Sequence, residues 1–506
     1  MKATKIFMMA ALALMTAACS SDDNDIAQQP AEQPANGEIT ITATLNANDG
    51  ATTRALGIDG SNIASIWADT DEFAILFNDG TNDIKRTATV SSINGTTVTI
   101  TFTIPQALAN NTACTIVYPA SAANATNTSA DVATALATQN GAIATTPEVR
   151  VGTATIDKTN HSLTSVTKLA AQNSIFKFTL KDIAGTSDKS ASEFKVSNAS
   201  GDVMTTVTPG SATNELYVAL PTMAAGTYWF SATVDSKPYI AKATVSTATT
   251  AGKYYQTTVK MATLGDLMGA DGKFYATSTA ISTASTTAIG VIAHIGNDAC
   301  TETIANGGGH GLVLCLKNAA SDADAQWSTE TSTLEFGDDA KVTNADGLKR
   351  TTNVSGYSNT KTLAEKTDAA TKYKAAYAAK NYTGLTAPAG TTGWFLPSAQ
   401  QWVRMMTGLG GLSESDITWR SWFNNDHSAA TAWENAMAKA GTKGTAYESM
   451  TDDCLWYWSS SEYSSTNAVY LDVDATATGG GYGFYWDHEG KDGSDDWYRV
   501  RPVLAF

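Results

Sequence analysis

The sequence predicts a mainly β protein: antiparallel β-sandwiches followed by an α+β unit, in a chain of two to four domains. Three observations carry that prediction. Short β-rich runs are broken by Asn-Gly, Asp-Gly and Pro signals, with little helix-period pattern between them over residues 37–262. The chain is 506 residues long, more than one hydrophobic core accommodates. Trp and Tyr then concentrate beyond residue 390, marking a compositional shift toward a different kind of unit.

The elements follow in order. Lys2 and Lys5 form a basic head, Ile6 to Met15 an apolar run and Ala17-Ala18 a small-residue site before Cys19, which together read as a secretory signal over residues 1–18. That run is too short to span a bilayer as a mature helix. With Cys19 in that place the segment resembles a bacterial lipoprotein signal, which implies acylation of the Cys19 thiol. The acidic run Ser20 to Asp25 resembles the export signal that sends lipoproteins of Bacteroidetes-type bacteria to the outer face of the outer membrane.

From Gly37 to Leu45 apolar residues alternate with Thr, the period of a half-buried strand, and Asn46 to Arg54 is a turn-rich stretch without period. Further strands read at Phe73–Phe77, Thr96–Ile104, Thr115–Tyr118, Ser174–Leu180, Glu193–Val196, Glu215–Leu220, Gly226–Val234 and Tyr254–Met261. The Ala/Thr/Asn-rich stretch Ser121 to Thr146 reads as a loop between sheets. Near the other end, Pro397 and Ser398 close a strand, and Ser398 N-caps a helix whose Trp402, Met405 and Met406 face a core. Trp394, Trp402 and Trp458, with Tyr457, Tyr463, Tyr470 and Tyr485, supply aromatic core area.

The formal net charge is −16, which repels phosphate backbones and argues against nucleic acid as a partner. Beyond Cys19, the cysteines Cys114, Cys300, Cys315 and Cys454 allow three pairings, and nothing in their spacing selects one. Cys315, in the apolar run Leu312 to Leu316, suits a buried free thiol as well as a bridge. No catalytic residue is assigned. His161, His294, His310, His427 and His488 lack metallohydrolase spacing, and Gly307 to Gly311 lacks the lysine and the strand-to-helix setting of a phosphate loop. Ser459-Ser460-Ser461 lacks a nucleophile elbow and reads as turn hydroxyls. From Gly479 to Trp497 aromatics and carboxylates mix in a glycine-rich frame. Trp486, Asp487, Glu489 and Asp492 are candidate ligand-binding residues, by ring stacking on a sugar or oxygen ligation of calcium. The spacing is not that of an EF-hand, no metal site is assigned, and a hairpin carrying solvated charges fits the same residues.

Two family resemblances extend this reading. The order of Cys19, the alternating segment, Thr52-Thr53-Arg54-Ala55-Leu56, Ile66 to Phe73 and Ala251-Gly252-Lys253-Tyr254-Tyr255 resembles the fimbrillin superfamily, the type V pilins of Bacteroidales, over residues 37–262. The resemblance implies transthyretin-like sandwiches over residues 55–165 and 166–262, preceded by a propeptide over residues 19–54. It also implies a trypsin-like cut between Arg54 and Ala55 that removes the first strand, and partnership with other fimbrillin subunits by donor-strand exchange.

Gly393 to Trp402, Tyr457 to Tyr463 and Arg499 to Phe506 resemble the C-terminal domain of many Bacteroidetes and Fibrobacter surface proteins, which is similar to C-type-lectin-like and formylglycine-generating-enzyme folds. That implies an adhesive domain over residues 263–506 with a glycan or protein ligand. No redox cysteine pair matches the enzyme, so no catalysis and no cofactor are expected, calcium apart. Because Arg499 to Leu504 serves this family as a core strand, no donor strand is expected after it. The expectation is therefore a tip-type fimbrial subunit: a lipoprotein precursor held at the outer membrane by its lipid, then released into a surface fibre. A standing surface lipoprotein that binds glycan or protein is the alternative.

Overall fold

The computed structural model describes residues 37–46, 57–59, 62–64, 67–95, 97–298, 300, 309–350, 354–451, 455–474, 483–493 and 498–506. The signal segment, Cys19, Arg54, Ala55 and Cys454 lie outside the described residues. Among the described residues the chain is mainly β, with helices confined largely to its C-terminal part.

The first sheet holds β1 (Glu38–Asn46), β2 (Glu72–Asn78), β3 (Asp83–Asn94), β4 (Thr97–Pro105), β5 (Thr112–Tyr118), β6 (Arg150–Asp157) and β7 (Ser162–Thr164). Their order is β1-β4-β3-β2-β5-β6-β7. Strict alternation explains β4, in which Val98, Ile100, Phe102 and Ile104 are buried and the intervening threonines stay part-exposed. Those side chains meet Ile41, Phe73, Ile75, Ile116 and Ile156 in one core. The run before β2 ties down a corner of it. Trp67 lies 5.1 Å from both the Phe73 and Tyr118 rings, and Asp71 accepts from the Ala68 amide at 2.6 Å and from the Tyr118 hydroxyl at 3.1 Å.

Three expectations are corrected here. β3 was not foreseen, because its residues are mostly exposed or half-buried and show no apolar alternation. Ala170–Ala171 pairs with β6 and Leu169 is buried in the first core, so residues 166–171 stay with the first sandwich rather than opening the second. The stretch 121–146 is no plain loop. It contains the helix Val132–Leu136, capped by the Asp131 side chain, and the short strand Thr138–Gln139, which joins the second sheet.

The second sandwich consists of β8 (Asn173–Asp182), β9 (Glu193–Ser197), β10 (Val203–Val207), β11 (Glu215–Pro221), β12 (Gly226–Val234), β13 (Lys237–Val245) and β14 (Tyr254–Thr263). The order is β11-β8-β14-β13-β12-β9-β10, with Thr138–Gln139 beyond β10. It is not wholly antiparallel: β8 and β14 run parallel from Ile175↔Tyr254 to Asp182↔Met261, and Thr138–Gln139 runs parallel to β10. Phe176, Phe178, Phe194 and Phe230 stack and tilt through its core at centroid separations of 5.3–6.0 Å.

The two sandwiches are bound firmly together. Ala74, Leu76 and Val117 of the first, with Leu136 of the helix inserted between its strands, pack with Ala219 of the second, and the Asn173 side chain accepts from the Val149 amide at 2.8 Å. Arg150 and Glu148 form a buried ion pair at 2.7 Å, and the guanidinium also donates to the Leu169 carbonyl at 2.9 Å.

The C-terminal unit has two five-stranded sheets. The first orders β16-β15-β17-β18-β24, built from β15 (Leu267–Gly269), β16 (Phe274–Tyr275), β17 (Ala288–Ile295), β18 (Gly311–Cys315) and β24 (Val503–Ala505). The second orders β19-β23-β20-β21-β22, from β19 (Ala320–Ser321), β20 (Leu455–Glu462), β21 (Asn467–Asp474), β22 (Gly483–Gly490) and β23 (Tyr498–Val500). Helix Ala399–Thr407 begins at Ser398, whose side chain accepts from the Gln401 amide while the Gln401 side chain accepts in return. It buries Trp402, Met405 and Met406 completely.

The expected strand Arg499 to Leu504 is two strands in different sheets. Between them Arg501 is fully buried, donating to the Cys315 and Glu448 carbonyls at 3.0 and 2.9 Å. This unit also shares a core with the second sandwich, where Trp229, Ile240 and Ala262 pack with Met268, Phe274, Leu504 and Phe506. Gly311 is needed there, since a Cβ would stand 2.6 Å from the Phe506 ring.

Candidate functional site

The site begins with a sequence of alternating size. In Ile39-Thr40-Ile41-Thr42-Ala43-Thr44-Leu45, β-branched and small residues favour extended backbone and place every second side chain on one face. The structure seats that face inward: Ile41 and Leu45 are completely buried, Ala43 nearly so, and Thr40, Thr42 and Thr44 are exposed. Burying each of the two aliphatic chains contributes roughly 1.5–3 kcal/mol.

β1 pairs with β4 along its whole length, antiparallel, from Glu38↔Pro105 to Asn46↔Thr97. Its other edge is touched at only a few points: the Thr42 amide donates to the His161 carbonyl at 3.0 Å and the Leu169 amide to the Asn46 carbonyl at 3.4 Å. Its salt bridge to the body of the sandwich, Glu38 with Arg86 at 3.4 Å, is partly exposed and weak. β1 is thus an edge strand that seals a core while being held by one ladder and a row of alternate side chains. Such a strand can be replaced by another of the same pattern, because main-chain hydrogen bonds are sequence-independent and the pockets require only alternating apolar residues. Arg54 and Ala55 follow β1 in the chain but lie outside the described residues, as does Cys19.

The second candidate region is rearranged relative to expectation. β22 is a strand paired along its length with β21, from Asn467↔Gly490 to Asp474↔Gly483. Alternation along it turns Phe484 and Trp486 into the core and Asp487 and Glu489 to the opposite face. Trp486 is fully buried and offers no ring face to a ligand.

Asp487 is engaged by Arg420, Nε to Oδ1 at 2.8 Å, Glu489 caps the Gly490 amide at 2.9 Å, and Asp492 is exposed beyond the strand. The four residues therefore do not converge. Among the described residues no group of three or more His, Cys, Asp or Glu side chains is placed to hold a metal ion. Instead, Tyr463 and His488 stack at 3.5 Å, with Trp419 stacked 6.2 Å from Tyr463, on the side of β22 that carries Phe484 and Trp486. Burial holds the His488 imidazole below its ordinary range.

Lys491 was unremarked in the sequence and proves structural. It is fully buried, paired with Glu462, donating to the Thr333 carbonyl at 2.8 Å and lying 5.0 Å over the Trp327 ring. Glu462 in turn accepts from the Glu335 and Phe336 amides at 2.9 and 3.1 Å.

The serine triplet is another correction. Ser459, Ser460 and Ser461 lie buried inside β20, not in a turn. Ser459 donates to the Val469 carbonyl at 2.8 Å, Ser460 accepts from Asn359 at 3.2 Å and Ser461 from the Ala399 amide at 3.0 Å. Cys114 and Cys315 are buried free thiols, each pushed up to about 12 by desolvation. Neither is a nucleophile at neutral pH.

No protein-family model matches the chain. No curated protein matches it either. Solved structures found similar to this chain include a fimbrial protein from Bacteroides ovatus, 14% identical, covering 94% of this chain and 100% of its own with a TM-score of 0.29. A fimbrial assembly protein from Parabacteroides distasonis is 13% identical and covers 44% of this chain and 90% of its own, with a TM-score of 0.23. The shaft pilin spaA from Lactobacillus rhamnosus GG is 13% identical and covers 45% of this chain and 98% of its own, with a TM-score of 0.21.

Proposed function

We propose that this chain is a non-catalytic, surface-exposed fibre subunit and adhesin, exported as a precursor lipidated at Cys19 and activated when cleavage between Arg54 and Ala55 removes β1. The observation that carries this reading is the seat of β1: an edge strand with Ile41, Ala43 and Leu45 buried in the core and one full ladder to β4. Removing it strips the cover from Val98, Ile100, Phe102 and Ile104 and opens the β4 edge, which a strand from a neighbouring subunit then fills.

The same reading puts the subunit at a fibre tip. Val503–Phe506, in the segment that resembles a core strand of lectin-like surface domains, are locked among Phe395, Leu312 and Trp229 and are not free to be donated. The C-terminal unit, lectin-like by resemblance, would then be presented outward on two sandwiches joined through buried contacts, toward a glycan or protein ligand.

N-terminal sequencing of the subunit in sheared, purified fibres tests this. A start at Ala55 is expected; an acylated Cys19 start in fibres would overturn it. A standing surface lipoprotein is favoured by one observation, the completeness of the β1–β4 ladder in the uncut chain. Immunogold labelling separates the two, at fibre ends for the first and over the cell surface for the second.

A further inference from the structure

The second sandwich has two open sides, and only one is filled. On the β10/β11 side, the segment Ala137–Gly141 arrives from the first sandwich and bonds to both edges. The Thr206 and Thr208 amides donate to the Ala137 and Gln139 carbonyls at 2.8 and 2.9 Å, and the Tyr217 amide to the Gly141 carbonyl at 2.8 Å. The Gln139 side chain bridges the Ala219 carbonyl and amide at 2.7 and 2.8 Å.

On the opposite side β13 and β14 are laddered only at Tyr239↔Thr263 and Ile240↔Ala262, then splay apart. The pairing registers fix which way their side chains point. Ala243 lies opposite Tyr228 and Thr257 opposite Phe178, both partners being members of the sandwich core, so Ala243 and Thr257 are on the core face. Yet both are exposed, within three-residue exposed runs that break the alternation of each strand.

A cleft of about 600 Å³ lies there, floored by Phe230, Ala241 and Val259 and bounded by the turn before Phe274 of the C-terminal unit. Ala241–Val245 offers about 16 Å of strand edge, enough for five extended residues. At the rim Lys242 and Lys260 have no carboxylate partner among the described residues, in a chain whose net charge is −16.

We propose that the β13/β14 cleft docks an extended segment of a partner protein, with small or β-branched side chains over Ala243 and Thr257 and a carboxylate toward Lys242 and Lys260. The segment adds a strand, as Ala137–Gly141 does on the far side, and contacts both the second sandwich and the C-terminal unit. The site is separate from the β1 seat and does not depend on cleavage at Arg54.

Disulfide capture on the full-length chain tests it. Ala243→Cys and, independently, Thr257→Cys variants are equilibrated in glutathione buffer with the peptide Glu-Val-Thr-Cys-Thr-Val-Glu or its twin with lysine at both ends. Adducts are counted by intact mass over the wild-type background. The acidic peptide is expected to be captured about fivefold more than the basic one, the size two exposed ion pairs confer. Adding Lys242→Glu and Lys260→Glu should reverse that order. Equal capture of both peptides, or equal capture by a Thr244→Cys variant on the outward face of the same strand, overturns the proposal. If one cysteine variant fails to fold, the other gives the result.

Discussion

The first and second sandwiches solve the same problem differently. In the first, β1 covers the core, and its inward Ala43 is 5% exposed. In the second, the β13/β14 side is uncovered, and the inward Ala243 is exposed. The comparison teaches that an inward-facing position is defined by register, while its burial depends on whether another strand is present. A sandwich edge is therefore a place where a strand can be lent, removed or received.

The largest effect that would break this contrast comes from charging the β1 face. Ile41→Asp should cost about 4–5 kcal/mol, since it buries an unpaired carboxylate in the first core, and urea unfolding should show it. A smaller effect is expected on the filled side of the second sandwich. Gln139→Ala leaves the Ala219 amide and carbonyl without their side-chain partner and should cost about 2–3 kcal/mol.

Smaller again, and sharper, is the paired test Ala43→Leu against Ala243→Leu. The first overpacks a filled core at a cost of about 1–3 kcal/mol. The second extends into an open cleft and should stay within about 0.5 kcal/mol of the parent.

The last effect appears only with pH and concerns how the second sandwich holds its neighbour. His310 is stacked on Trp229 at 4.1 Å, and burial, with the nearby Lys242 charge, pushes its imidazole down to about 4 from 6.5. The folded state thus binds fewer protons than the unfolded state between those values, so this contribution to stability is complete above about 6.5 and is lost as pH falls toward 4. His310→Phe should flatten that part of the stability profile measured by urea titration from pH 4 to pH 7.

β1 was legible because Thr alternates with Ile, Ala and Leu without interruption; the reading Gly37–Leu45 differs from the strand Glu38–Asn46 by one residue at each end. β3 and β13 were not, since Lys85, Arg86, Lys237 and Pro238 interrupt any apolar period and their order is set by neighbours in the sheet. Gln139 could not be found from sequence: a polar residue in an Ala/Thr/Asn run gives no sign of burial until the partners from residues 205 and 219 are in place. Trp486 was misplaced because composition outweighed period. Phe484, Trp486 and His488 alternate with Tyr485, Asp487 and Glu489, and that two-residue repeat was the signal that could have separated core from surface. The helix at Ser398 was readable because its capping box and Trp402/Met405/Met406 spacing agree.

The claim at the centre of this account is that β1 is a replaceable strand. Limited trypsin treatment of the full-length protein, followed by incubation with isotope-labelled Glu38–Asn46 peptide and native mass spectrometry, tests it most directly. Protein cut after Arg54 should take up the labelled strand in place of its own, while uncut protein should not. Cut protein that never exchanges the strand, or uncut protein that exchanges it equally well, would contradict the account.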